Sequence, residues 1–521
     1  MKENSVDGGS RNHTILAPHI VAPFLAPPAE ADDGSRRAQD PTAVATTIHR
    51  RRPWRMSRHR TSRDATLGAE HTEVEYSRDT AMSLRRLLGL SAAVTGGLRR
   101  SLSTGAASRP PWVLFEQASA AAGSAPGACV RIVEPPRLSD LTVPAALVDT
   151  SDVPDPDSDI MQVLPCGVCS ASGDGLLLLI VHDSRFTAPI RAKQGANHVR
   201  TITGYDHRHC PDTTRFLCNP LTGQLARLPV IDGRRKLLCG PHMGVLTQAD
   251  GGGDGPPDRL AVAELQTNRL LRFLSDTGEW DVPHTAPYQL PLGRRFYSEE
   301  GDFDQEAFAF AGRLWWMDLT WGAISADPFS DRPEVQWVEL PRGSVMPERP
   351  VPAESALLGL EGAEAAWKYA LSRYRRMGVS EGKLRYVEVS DREPFVLSSF
   401  ALGDDGWTLE HRVALSRLWA DDGDHPWLPL PEKTTPQIGA LDPLNGNVIY
   451  LMVGRHSVGV DMGREEVIGS ALHRGTGCCV PCVLPPWLES TRIPAPAGKK
   501  VVEENKKLAD VLVRSGGNHV K

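Results

Sequence analysis

The chain has 521 residues, 58 Lys and Arg, 64 Asp and Glu, and a net charge of −6. That balance excludes a strongly basic nucleic-acid-binding body, and nine cysteines in this length exclude a disulfide scaffold. No run of about 18 apolar residues occurs, so no membrane-spanning helix is expected.

Residues 1–81 mix Pro, Ala, Gly and Asp without helical or strand period and read as disordered. Within them His49–Arg60 is a basic run, a solvated tail on the plain reading and a nuclear-import patch or nucleic-acid arm on the sharper one. Lys2, Glu3 and Asn4 follow Met1 without an apolar core, so a reducing intracellular compartment is expected. Residues 82–111 differ. From Met82 to Trp112 there is no Asp or Glu, and Arg85, Arg86, Arg99, Arg100 and Arg109 alternate with Leu84, Leu87, Leu88, Leu90, Val94 and Leu98. This is the composition of a mitochondrial or plastid transit peptide, and Arg100-Ser101-Leu102-Ser103 resembles a matrix-processing site. The expectation is a start at Met82, an over-extended gene model before it, and a mitochondrial address. The alternatives are a basic linker and a cytoplasmic or nuclear protein.

A β body is expected over 112–490. Trp112–Phe115 and Val130–Val133 read as strands, and Leu176–Val181 as a buried one. Asp152–Asp159 has the alternating aspartates of a calcium loop, but Ile160 and Cys166 stand where Gly and Glu would be needed, which leaves a solvated loop. Residues 184–212 form a polar insertion. Strand–turn–strand units follow at Arg215–Gln224, Leu260–Trp280, Arg313–Leu340, Leu384–Val413 and Val448–Ile468. Ala363–Met377 places Trp367, Ala370, Leu371 and Tyr374 on one helical face, with Gly378 as cap. Residues 491–521 form a linker and a charged helical tail, Lys499–Arg514. No small antiparallel unit buries its own faces, so the units must lean on one another. The fold expected is all-β: a β-propeller-like ring of about six small antiparallel sheets with one inserted helix.

Several stretches together resemble a family. They are Pro111-Trp112-Val113-Leu114, Gly175–Leu179, Arg215–Asn219 with Thr222-Gly223 and Leu228-Pro229, Gly312–Asp318 with Val338–Pro341, Gly382–Val387, and Trp407–His411. In this order, over roughly Trp112 to Trp487, the chain resembles a grass-expanded plant family named only as domain of unknown function sixteen-eighteen. That resemblance implies kinship with the β-propeller-like domains associated with F-box proteins, and no established activity. No F-box precedes the body here.

Among chemical candidates, Cys166-Gly167-Val168-Cys169 and Cys479-Val480-Pro481-Cys482 are sharpest, since a ring brings its ends together and four thiolates hold zinc. Their separation in sequence is far beyond zinc-pair spacing, so buried or surface thiols are the stronger reading. His198, His207, His209 and Cys210 form a loose polar cluster. Asp318 and Asp327 sit at strand ends, where a carboxylate ties down a turn. Glu410 and His411 are neighbours on a strand and should face opposite ways. Trp315, Trp316, Trp337 and Trp407 read as packing between sheets. No H-E-x-x-H, G-x-S-x-G or P-loop occurs. No catalytic residue, cofactor or metal site is expected. The function expected is a non-catalytic scaffold binding a protein partner, with an organellar enzyme using the central channel as the alternative.

Overall fold

The computed structural model describes residues 109–494, apart from 149, 151–152, 195–196, 207–211, 232–241, 250–254, 267–268, 287–305, 345–370, 422–434, 474–478 and 491. The chain opens with β1 (Trp112–Ala121), β2 (Cys129–Arg131) and β3 (Leu138–Pro144). Then come β4 (Ile160–Val163), β5 (Pro165–Ala171), β6 (Leu177–Thr187), a hairpin of β7 (Ile190–Gln194) and β8 (Asn197–Arg200), β9 (Gly204–Tyr205), β10 (Asp212–Cys218) and β11 (Leu225–Arg227). Four sheets follow, each a simple antiparallel run in chain order. The first is β12 (Gly244–Gln248), β13 (Arg259–Gln266), β14 (Arg269–Leu274) and β15 (Glu279–Asp281). The second is β16 (Ala307–Phe310), β17 (Arg313–Asp318), β18 (Gly322–Ala326) and β19 (Gln336–Glu339). The third is β20 (Arg375–Ser380), β21 (Lys383–Val389), β22 (Val396–Gly403) and β23 (Gly406–Ala414). A short helix, α1 (Leu415–Asp421), leads to the fourth: β24 (Gln437–Leu441), β25 (Val448–Val453), β26 (His456–Asp461) and β27 (Glu466–Leu472). The last described strand is β28 (Val480–Val483).

Apart from the β7–β8 hairpin, the remaining strands form one ten-stranded sheet with two arms that meet at β1, β4 and β9 pairing with the end of β6. One arm runs β5-β6-β10-β11. In the other, β28 pairs antiparallel with the first half of β1, and β3 runs parallel to β1 with β2 outside it. The second half of β1 pairs with β5, Ala118 opposite Cys166. The described strands thus form several small antiparallel sheets, as expected, beside one larger sheet that gathers the first and last strands. β5, β12, β16, β20, β24 and β28 touch in series, and β5 also touches β16 and β28, a propeller-like arrangement.

The inner strands of the sheets are buried on both faces, so the core is divided among the seams, while outer strands such as β23 and β27 are half-exposed. Trp316, Leu314 and Ile324 meet Leu246, Ala263 and Leu270 in one seam. Trp315 and Met317 meet Met377, Leu384 and Tyr386 in the next. Val387, Leu397 and Val413 meet Ile438, Leu451 and Val460 in a third. Trp112 and Leu114 meet Tyr450 and Met452 where the last described strand joins the first. Leu176–Val181 anchors the largest cluster, each side chain at most 3% exposed. Burying one such aliphatic side chain stabilises the fold by about 1.5–3 kcal/mol.

The expected helix does not run on to Met377: Leu371 and Ser372 are helical, a turn follows, and the chain enters a strand at Arg375. Arg375–Ser380 is β20, paired antiparallel with Lys383–Glu388, and Gly378 lies opposite Arg385 inside the strand rather than capping a helix. The same residues also satisfy a period of two, with Met377 and Val379 in the seam facing β17, and sheet pairing decides between the two periods. Leu371 does reach the core; the rest of the expected helix before it, with Trp367 and Ala370, lies outside the described residues. The N-terminal region before Arg109 and the tail Lys499–Arg514 also lie outside them.

Candidate functional site

The two Cys-x-x-Cys pairs are brought to one region, because β5 and β28 both pair with β1 and touch each other. Three of the four thiols share one core cluster, Cys169 packing at its edge, and only Cys479 lies apart. Cys166 and Cys482 enter the large core with Cys218, whereas Cys479 packs with Trp112 and Tyr450 in the closing seam. Burial pushes the thiols of Cys166, Cys169 and Cys218 up to about 12. Cys482 is pushed up as well, by burial first and then by Cys218. Cys482 Sγ donates to Gly175 O at 3.4 Å. These are protonated, weakly nucleophilic thiols at neutral pH. Among the described residues no group of three or more His, Cys, Asp or Glu is placed to hold a metal ion.

A polar network lies in the seam between the β16–β19 and β20–β23 sheets. The hydroxyls of Tyr386 and Ser344 both reach Glu388 Oε2, at 3.1 and 2.8 Å, and lie 2.9 Å from each other. Burial pushes the Tyr386 hydroxyl up, and Glu388 adds to this while Arg375 opposes it. Arg375 Nη1 donates to Leu319 O at 2.9 Å, tying the start of β20 to the turn after β17. Arg376 Nε donates to Glu306 Oε2 at 2.8 Å, linking the same start to the residue before β16. Sequence reading missed this network, because Ser344 lies 42 and 44 positions from its partners. Tyr386 and Glu388, two apart on one strand, are its legible half.

Glu410 and His411 do not face opposite ways. A bulge on β23 sets His411 opposite Ser399 and Leu409 opposite Phe400, leaving Glu410 as the extra residue. Glu410 accepts from Arg385, whose guanidinium lies against Gly446, and His411 Nε2 is 2.8 Å from Asn447 Oδ1. Both side chains therefore reach the turn between β24 and β25. Asp318 Oδ1 accepts from the Thr320 amide and hydroxyl, and Asp327 Oδ1 from the Phe329 amide, so both carboxylates fasten turns. Trp315 and Trp316 are fully buried, and Trp337 and Trp407 pack at the edges of the same seams. Trp316 Nε1 donates to His242 O at 2.9 Å and Trp407 Nε1 to Glu339 O at 2.7 Å. His207, His209 and Cys210 lie outside the described residues, as does the side chain of His198.

The Glu410 turn and, apart from Glu306, the polar seam fall inside a stretch that matches a family model. Residues 316–450 match the DUF1618 family. That family is described only as a protein of unknown function. The DUF1618 stretch runs from β17 to β25, so it holds the whole β20–β23 sheet and parts of both neighbours. No curated protein matches the chain. Among solved structures, a proposed 6-phosphogluconolactonase from Bacteroides fragilis is similar at 11% identity and a TM-score of 0.29, over 72% of this chain and 99% of that one. The β-propeller domain of Cps50 (Swd1) from Myceliophteria thermophila is similar at 8% identity and 0.24, over 56% and 82%. A second proposed 6-phosphogluconolactonase, from Bacteroides uniformis, is similar at 12% identity and 0.24, over 58% and 84%. Likenesses this low say nothing of what the chain does. Among the described residues no helix is long and apolar enough to cross a membrane.

Proposed function

We propose that the β body is a non-catalytic scaffold that binds a protein partner. The observation that carries this reading is how its buried ionisable groups are engaged. Arg375, Arg376, Arg385, Tyr386 and Glu388 tie one strand or turn to another. Buried groups held this way give a rigid frame on which exposed loops can be presented. Charge supports a protein partner over nucleic acid: residues 109–494 carry 36 Lys and Arg against 50 Asp and Glu, whereas residues 1–108 carry 16 against 11. The Arg-rich, acid-free stretch from Met82 further supports delivery of the body to mitochondria when translation starts there.

The test is quantitative affinity purification of the tagged full chain, and of a chain starting at Met82, from the tissue that expresses it, with imaging of both. The expected result is a stoichiometric protein partner, and mitochondrial signal for the Met82 form. A chain that recovers no partner above a tag-only control, or a diffuse Met82 product, removes the corresponding claim.

A further inference from the structure

One part of the body lies outside its seams. β6 pairs with β5 and β10 as far as Asp183, and its last four residues, Ser184–Thr187, instead pair with β4 and β9. The result is a three-stranded sheet carried beyond its parent sheet. Register puts Met161, Phe186 and Tyr205 on one face, with the two rings edge-on at 5.5 Å. All three are half-buried and belong to none of the core clusters. The loop leading into β4 is held firmly against this sheet. Arg200 donates to Ser158 O, Pro156 O and Ala188 O, and the Ala188 amide donates to Asp159 O. That loop presents Val153, 73% exposed, together with the exposed carboxylates of Asp155 and Asp159. Two of the nearby described cations are turned to other uses: Arg200 is engaged with carbonyls, and Arg185 lies 3.9 Å from Asp183. Arg191, on β7, is exposed.

We propose that this small sheet and its loop dock a basic, apolar peptide segment of a partner protein. The proposal rests on the scaffold reading and names where and what the scaffold binds. The half-buried aromatic face supplies apolar contact, and the fixed carboxylates select against acidic segments through charge complementarity. Arg200 pre-orders the loop, which lowers the ordering cost of binding.

The test uses the full chain and a short fluorescent peptide of alternating leucine and arginine, read by polarisation. Binding should be saturable and should weaken with added salt. It should fall at least about tenfold in Asp155→Asn/Asp159→Asn, and similarly in Val153→Ser/Phe186→Ser, with unchanged melting temperature for the first pair. A second peptide with glutamate for arginine should not bind. Equal binding of both peptides, or wild-type binding by both variants, overturns the proposal. So does binding that appears only after Arg85, Arg86, Arg99 and Arg100 are changed to Ser, because the site would then belong to the chain's own segment. If wild type and Asp155→Asn/Asp159→Asn recover the same partner from tissue, the docking surface falls and the scaffold reading stands. If wild type recovers none, the scaffold reading falls whatever the peptide does.

Discussion

Glu410 and His411, adjacent in the chain, both reach the turn between β24 and β25: one through Arg385 and the other through Asn447. The Arg385 side chain is 3% exposed and also meets Glu381 at 3.1 Å. A Cβ at Gly446 would come within 2.2 Å of the guanidinium carbon. Gly446→Ala must therefore displace Arg385 from its carboxylates, and should cost about 1–3 kcal/mol. Glu410→Gln should cost a similar amount, and the double variant less than the sum. Urea midpoints of the four proteins check this; strict additivity would mean that Gly446 does not act through Arg385.

Asp442 gives a pH signature. Burial pushes its carboxyl up to about 6, against two backbone amides, from Leu444 and Asn445, that favour the charged form, while Glu381 adds to the rise. A raised carboxyl binds its proton more tightly in the folded state. The associated stability is present below the unfolded value of 3.8 and is lost as pH rises through about 6. Asp442→Asn removes that slope. The stability difference, wild type minus variant, should therefore fall between about pH 4 and pH 6 and level off above. Chemical unfolding at several pH values measures it, and a difference that rises with pH contradicts the assignment.

Thiol reactivity should divide sharply. Cys129 is exposed, while Cys166, Cys218 and Cys482 are buried with raised pKa values. With iodoacetamide near neutral pH, mass spectrometry should find Cys129 modified before Cys166, Cys218 and Cys482, and those three only when denaturant opens the core. Rapid labelling of Cys482 in the native protein would contradict the packing of β28.

That packing is also close at Gly175. Its φ is +88°, and a Cβ there would lie 2.2 Å from Val483 O. Gly175→Ala pushes the turn between β5 and β6 against the last described strand, and should cost about 2–4 kcal/mol. Ending the chain at Cys478 removes β28 altogether, and should expose the closing seam to an apolar dye and to protease. A truncated chain with native melting would refute a closing role for β28.

The parts of this fold that sequence made visible were the middle strands. Leu176–Val181, Arg313–Asp318 and Val448–Val453 are long enough, and apolar enough, to stand out between turn residues. The first strands did not stand out. β12, β24 and β28 are four or five residues long, and β20, at six, carries two arginines, a pattern that read as the end of a helix. Glycine breaks the run at Gly378 and Gly439, and proline at Pro481. These strands are specified by pairing with a neighbour and by contact with two other sheets, neither of which is local. The turn roles of Asp318 and Asp327 were legible because an Asx turn is local. The bulge that turns Glu410 and His411 to one side was not, because it depends on how β23 meets β22.

The first and last described strands share a ladder, and Arg109 is paired with Glu489 beside it, with the Leu484 amide donating to Pro111 O at 2.8 Å. Topologically, then, the body has a seam of convenience instead of two loose ends. A circular permutant joined from the Ser490 end to Arg109 by a short linker and opened at Asp404-Asp405 would keep every sheet's pairing. Cargo fused ahead of residue 109 or after residue 494 would leave from the same side of the body.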